Sequence, residues 1–477
     1  MIEEAFLVDK ADILKVFRRQ KERCIELRLQ PIKQRKILLR EFCEFILANR
    51  DRIGQEIHKD FKKPLLEIDL SEIYPVVSEI RHVVEKLDDW TSPQKIDAPI
   101  TYLGTRSKVV FEPKGVCLII APWNYPFSLC LGPLISCLAA GNTAIIKPSE
   151  LTPHTSALIA ALASEFFKED MVKVFEGGQE VSTELLKLPF DHIFFTGSPS
   201  IGKVVMKAAA ENLTSVTLEL GGKSPTVIDS TAIIVDAARR IAFGKFLNNG
   251  QTCIAPDYIL VHTKVKDKFI DALKKEVVNL FGENGKINES SASYSRIVNQ
   301  KHFQRLNQLL TDAVDKGAKI ELGGEVNAQT NFIHPMILTN VSLTTRMMQE
   351  EIFGPILPVI EYSTDDEVVT FINNNPKPLA LYIFSQTSSF RNRILASTSA
   401  GSVCINECVI QFSHTNLPFG GVNNSGIGKS HGYYGFLEFS NQKPILKQMS
   451  RFSSISFLYP PFKPRLKFML NMMLRYF

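Results

Sequence analysis

The chain has 477 residues, 45% of them hydrophobic and 22% charged, with Gly 26 and Pro 25, enough for about three units of ~150 residues around large cores. Stapled mini-proteins, collagen-like repeats and disordered classes are excluded. Lys+Arg 55 against Asp+Glu 50 leaves a net charge of +5, too dilute for a phosphate-neutralising surface, so no nucleic-acid partner is expected.

The eight cysteines, at 24, 43, 117, 130, 137, 253, 404 and 408, form no C-x-x-C pair, which points to a reducing compartment. The opening MIEEAFLVDK is acidic and has no apolar run after a basic start, so a cytoplasmic protein is expected. The glycosylation patterns at Asn212 and Asn288 then carry no meaning.

Residues 10 to 60 carry helix-period apolar positions (Ile13, Leu14, Phe17, then Ile37, Leu38, Phe42, Ile46), which predicts two amphipathic helices, the second started by Pro31. The stretch from Asp97 to Phe111, broken by Pro99 and Gly104, reads as an extended arm able to reach a partner. From 115 the runs GVCLII, TAIIK, MVKVF, HIFFT and VTLEL alternate with helical or loop stretches, which predicts a doubly wound parallel sheet with ligands at the carboxyl ends of its strands. A second alternating block, Pro225 to Ser402, contains the helical VKDKFIDALKKEVVNLF and the strands LPVIEY and LALYIF. No internal repeat appears, and no apolar run reaches the ~18 residues needed to span a bilayer. In the last segment, Phe457 to Phe477, residues Leu466, Met469, Leu470, Met473, Leu474 and Phe477 form one apolar stripe, with Lys463, Arg465, Lys467 and Arg475 as the only charges. Such a tail either docks on protein, its own or a partner copy, or lies in a membrane interface.

The segment FLNNGQTCIAPDY places Cys253 where a helix meets a loop. A lone cysteine is more often buried filler, but one at a helix terminus can be an activated nucleophile. Glu219 ends the strand VTLEL before two glycines, leaving a carboxylate suited to general-base work at the sheet's ligand edge; charge pairing with the next element is its plainer reading. Asn124, in APWNYPF, puts an amide donor at another strand end, as either an oxyanion donor or a loop cap.

The turn GSPSIGKV nearly matches the phosphate loop G-x-x-x-x-G-K-S/T, but Val204 lacks the hydroxyl that Mg²⁺ would require. Gly197, Ser198 and Gly202 instead suit a pyrophosphate at a helix N-terminus, without the G-x-G-x-x-G fingerprint. Lys147 and Glu150, in TAIIKPSE, suit ribose hydroxyls or are a solvated lysine and a helix cap. Glu351 and Phe353, in EEIFGPILP, stand two apart in an extended stretch and so on one face, fit for a second ribose and its ring. No metal site is read.

APWNYPF, KPSE, FTGSPSIGK, LELGGKSP, NNGQTCIAPDY and EEIFGPILP, followed by LPFGGVNNSGIG, occur in one order over roughly residues 110 to 435. In this the chain resembles the aldehyde dehydrogenase superfamily and is most similar to its class 3 branch. The resemblance implies an α/β fold: a doubly wound parallel-sheet cofactor domain, a second α/β catalytic domain and a small β arm for oligomerisation. The corresponding division is 1–218 with the arm at 90–111, 219–423, an oligomerisation segment 424–450 and the tail 451–477. It also implies NAD, with NADP possible, and a homodimer.

By the same resemblance Cys253 is the nucleophile, Asn124 the oxyanion donor and Glu219 the base for the deacylating water. Lys147 and Glu150 would meet the adenosine ribose, Ser198 and the Gly197 to Gly202 turn the pyrophosphate, and Glu351 with Phe353 the nicotinamide riboside. The expected reaction takes an aldehyde, medium or long-chain aliphatic or aromatic, through a thiohemiacetal and thioester to a carboxylic acid. Acyl transfer to coenzyme A would need no base for water. The competing reading, a cofactor-free Cys-dependent acyl or ester hydrolase, leaves the cofactor-side residues without a role. Asn423 stands where the family often has Gly, and His414, in SHTNLPFG, reads either as lining the aldehyde tunnel or as a polar loop histidine, outside the catalytic set in both cases.

Overall fold

The computed structural model describes residues 9–449, 451, 453, 455–456, 459–462 and 464–476. Asp9 accepts from the N–H groups of Ala11 and Asp12 and starts the helix Lys10–Leu29. The next stretch is two helices and not one: Ile32–Ala48 ends at Asn49, with φ −97° and ψ 10°, and Arg50–Phe61 follows. The sequence carries the signal for the third helix in Ile53, Ile57 and Phe61, all buried at helical spacing. A further helix, Tyr74–Thr91, follows a π-turn at Asp69–Ile73.

The first large sheet has six strands in the order Gly426–Ile427, Ser215–Leu220, His192–Gly197, Val116–Ile120, Thr143–Lys147 and Val172–Val174, parallel except for the first. Val116, Leu118 and Ile120 pack into one apolar cluster and Cys117 and Ile119 into another. Both faces are thus covered by helices, as a parallel sheet requires. The second sheet has seven strands, Lys319–Leu322, Met336–Thr339, Ile356–Tyr362, Tyr258–His262, Pro225–Ile228, Ala380–Phe384 and Ser402–Ile405, with only the first antiparallel. It too has a core on each face.

Two of the expected boundaries move. The strand Ser215–Leu220 belongs wholly to the first sheet, so the division falls in the Gly221–Ser224 turn and not between 218 and 219. The 424–450 segment, expected to serve oligomerisation, is also part of the body of this chain. Gly426 pairs with Glu219 in the first sheet, the helix Gly432–Glu438 packs on the helix Ser128–Ala140, and only then does Ser440–Gln448 leave the body. The arm is a three-stranded antiparallel sheet, Gln94–Ile96, Thr105–Pro113 and Ser440–Gln448, in which the last two pair over nine residues.

The tail helix forms over Pro464–Tyr476, with Phe468, Leu470, Leu474 and Tyr476 exposed. Lys463 and Phe477 lie outside the described residues. No helix among the described residues is long and apolar enough to cross a membrane.

Candidate active site

A cavity of about 540 Å³ opens where the two large sheets meet, and Asn124, Gly197, Ser198, Glu219, Cys253, Glu351 and Phe353 all contribute to its wall. Cys253, half-buried, follows the helix Ile234–Phe246 through Asn248 and Asn249, both left-handed at φ 51° and 57°. Asparagine tolerates that region better than most residues, but two in succession persist only when surrounding contacts hold them. Here the Asn248 N–H donates to Glu67 Oε1 (2.8 Å), its Nδ2 to the Asn124 carbonyl (2.7 Å), and Asn249 Nδ2 to the Ser295 carbonyl (2.7 Å).

The same bonds bring Asn124 to the cysteine. Its side chain is 3% exposed, and Nδ2 donates one hydrogen to the Gln251 carbonyl at 3.0 Å, leaving the other N–H for a ligand oxygen. The neighbouring Tyr125 hydroxyl meets Thr252 Oγ1 at 2.6 Å. Beneath lies a fully buried ion pair, Lys63 Nζ to Glu72 Oε1 at 2.8 Å; Glu72 Oε2 accepts the N–H groups of Phe127 and Ser128, and the Lys63 ammonium lies 4.4 Å from the Tyr125 ring centroid. Truncating one partner would strand a buried charge, so this pair fixes the loop carrying Asn124.

Glu219 accepts a hydrogen bond on Oε1 from the Ser430 hydroxyl (2.8 Å), while Oε2 is buried with no partner. Burial pushes its carboxyl up to about 8, against the lowering effects of Ser430 and nearby Lys429. Glu351 is likewise raised to about 8 by burial and Asp257, and accepts the Gly222 N–H. Burial, then Glu351, then Glu219 push the Cys253 thiol up to about 12.

The expected extended stretch at 351–353 is corrected: Phe353 has φ 50°, so the chain turns there and the two side chains do not share a strand face. Both still reach the cavity because Arg305 donates to the carbonyls of Glu351 and Ile352, and Asp257, paired with buried Lys223, accepts the Ile352 N–H. The Phe353 ring meets Trp123 edge-on at 5.3 Å.

At the other end Ser198 caps the helix Pro199–Ala210 and its hydroxyl meets that of Ser200 at 2.9 Å. Both line the cavity at the helix's positive end. Gly202 does not: it is buried within the helix, where a Cβ would press on Leu220 at 2.7 Å, so its smallness serves helix-on-strand packing. Lys147 and Glu150 form an ion pair (2.6 Å) at the carboxyl end of Thr143–Lys147, outside the cavity wall proper. A dinucleotide fits this donor set, with hydroxyls and a helix N-terminus for pyrophosphate, a lysine–carboxylate pair for ribose, and a carboxylate with two aromatic rings beside the thiol.

His414 is exposed and lies off the cavity wall; the histidines on it are His302 and His431. Asn423 adopts φ 54°, which explains how asparagine stands in for glycine in that turn. Ser430, Lys429, Glu67, Lys63, Glu72 and Arg305 went unread in the sequence because each acts through a partner far along the chain.

The aldehyde dehydrogenase family model matches residues 1–445. The chain is 42% identical over 446 residues to aldehyde dehydrogenase family 3 member A2 of Mus musculus, covering 93% of this chain and 89% of the relative. It is 38% identical to a dimeric NADP-preferring aldehyde dehydrogenase of Canis lupus familiaris, covering 93% and 95%. The solved substrate-bound Staphylococcus aureus AldH superposes with a TM-score of 0.92 at 41% identity, covering 97% of this chain and 99% of that one. The chain therefore belongs to the aldehyde dehydrogenase family, enzymes that oxidise aldehydes with NAD or NADP.

Proposed function

We propose that Cys253, Asn124 and Glu219 carry the oxidation of a medium or long-chain aliphatic or aromatic aldehyde to its acid. One observation carries the assignment: the loops of Asn124 and Cys253 are hydrogen-bonded to each other, while Glu219, whose buried Oε2 has no partner, lines the same cavity. The Cys253 thiol gives up its proton to water as its sulfur adds to the aldehyde carbon, and the free Asn124 N–H stabilises the oxygen as it gains charge. Glu219 and Glu351, both held near 8, are mostly protonated at neutral pH and so oppose the thiolate less than two carboxylates would. A dinucleotide held there would supply the acceptor for the hydride of the tetrahedral carbon. Glu219, in the ionised fraction that grows as pH rises through about 8, then takes the proton of the water that attacks the Cys253 thioester, and the acid departs.

On this reading Ser198 and the amino end of its helix hold the pyrophosphate, Lys147 and Glu150 the adenosine ribose, and Glu351 with Phe353 the nicotinamide riboside. The Glu150 carboxylate would repel a 2′-phosphate and favours NAD, while its exposure lets it swing aside for NADP. The purified chain with NAD and hexanal should raise absorbance at 340 nm; a flat trace with both cofactors across C6 to C12 aldehydes defeats the proposal.

Ser430 acts as a positioning residue for Glu219. Its hydroxyl favours the ionised carboxylate, so Ser430→Ala should move the acid limb of the pH–rate profile upward, with activity retained at high pH. An unmoved limb would remove Ser430 from the reaction.

The strand from Ser440 lies at the edge of the arm sheet, a position that supports a homodimer through the arm. For the tail we favour a membrane interface in a cytoplasmic protein. All eight cysteines are free, and a helix with exposed Phe468, Leu470 and Leu474 and only basic charges matches an anionic lipid surface. Deleting residues 457–477 should abolish co-sedimentation with phosphatidylserine vesicles at low salt while aldehyde oxidation in solution persists. Unchanged co-sedimentation would return the tail to docking on protein.

A further inference from the structure

Two side chains on the wall of the catalytic cavity each carry a buried polar atom that has no partner and no part in the mechanism above. Glu79 is 3% exposed; its Oε1 accepts the Gly432 N–H at 2.7 Å, but Oε2 is buried without a hydrogen bond. The hydroxyl of Ser128 is likewise buried and unpartnered. Both residues line the cavity, as does His431, whose Nδ1 lies 3.9 Å from Glu79 Oε2, too far for a direct bond. The His431 ring is held edge-on between Phe412 at 4.6 Å and Phe419 at 5.6 Å, so it has little freedom to close that gap. Glu79 comes from the helix Tyr74–Thr91, Ser128 from the start of Ser128–Ala140, and His431 from the turn after Ser430. None of the three belongs to the strand-end segments assigned to the dinucleotide.

Buried polar atoms are nearly always satisfied, by protein, by water or by ligand. Around them the wall is apolar, with Leu129, Pro133, Phe412 and Phe419, so a substrate's hydrocarbon portion is accommodated and one polar point is left over. Its donor–acceptor pattern is definite. A carboxylate oxygen accepts, whereas a serine hydroxyl and an imidazole N–H can each donate. A hydroxyl group is complementary to that set, since it donates to Glu79 and accepts from Ser128 or His431. A hydrocarbon end leaves all of them unmet, and a distal carboxylate meets Glu79 with like charge.

We propose that Glu79, Ser128 and His431 form a polar recess in the aldehyde cavity that selects aldehydes carrying a distal hydroxyl, alcoholic or phenolic, over their hydrocarbon analogues and over acidic semialdehydes. This rests on the aldehyde-oxidising reading and specifies its substrate class.

The test compares kcat/KM for ω-hydroxyaldehydes and plain aldehydes of equal length, from four to ten carbons, with the full chain and saturating NAD. At the length that spans from Cys253 to the recess, the hydroxyaldehyde should win by roughly 10-fold or more. Glu79→Gln, which keeps an acceptor for Gly432 but turns the free oxygen into a donor, should collapse that ratio and raise the relative rate of an ω-carboxyaldehyde. Ser128→Ala should reduce the ratio with Glu79 intact, a check that does not depend on the first variant folding. A ratio near one at every length in the unmodified protein overturns the recess and leaves water as its occupant. Plain aldehydes would still be oxidised in that case, whereas no oxidation of any aldehyde would overturn the parent reading and the recess with it.

Discussion

Cys253→Ala is expected to lower NAD-dependent oxidation of hexanal, followed at 340 nm, by roughly 10⁴-fold or more, the scale seen when a covalent nucleophile is removed. The reason is electronic. A planar carbonyl carbon is a poor hydride donor, and sulfur addition makes it tetrahedral, with an electron-rich C–H. Nothing else near the cavity replaces this thiol, because among the described cysteines only Cys253 lines the wall. Half-buried, with its sulfur meeting only the backbone N–H groups of its own residue and Ile254, Cys253 should leave the fold nearly intact when truncated, so dinucleotide binding and the thermal midpoint should stay close to those of the unmodified protein. Oxidation at the original rate would show that the aldehyde is never bound through sulfur.

Glu219→Gln separates the two halves of the reaction. The amide keeps an oxygen for Ser430 but cannot take a proton from water, so acylation should proceed once and hydrolysis should then stall. The expected trace is a burst of NADH close to one per active site, then a steady state about 10² to 10⁴-fold below that of the unmodified protein, the usual range for loss of a general base. In the intact protein the slow phase should quicken as pH rises through about 8, where Glu219 ionises, and in the variant that dependence should vanish. A variant with full steady-state turnover would take Glu219 out of the mechanism, and one with no burst at all would assign it to deprotonating Cys253.

These expectations use residues legible in the sequence, and their geometry uses residues that were not. Cys253, Asn124, Glu219 and Ser198 stand out because each sits where a strand or helix stops, and stops are written locally in glycine, proline and capping side chains. The alternation of apolar runs and helices likewise declares both parallel sheets. Gly202 shows the limit of that reasoning: glycine at a phosphate-type turn looks like an anion site, yet its smallness is used against Leu220. The left-handed Phe353 is another case, since an EEIFG string carries no sign of a positive φ imposed by Arg305 and Asp257.

What the amino-acid order determines by itself is the set of reactive groups and the two sheets whose strand ends present them, because those depend on hydrophobic period and turn chemistry over a few residues. Only the folded chain decides how the groups meet. The Asn124 amide reaches the Gln251 carbonyl across 127 positions, the Ser430 hydroxyl reaches Glu219 across 211, and the Gly432 N–H reaches Glu79 across 353. The segment after 424 makes the last two contacts because it returns to the first sheet as a strand beside Glu219. Such pairings gain their stability from burying polar partners together, a quantity that exists only after distant parts of the chain have packed.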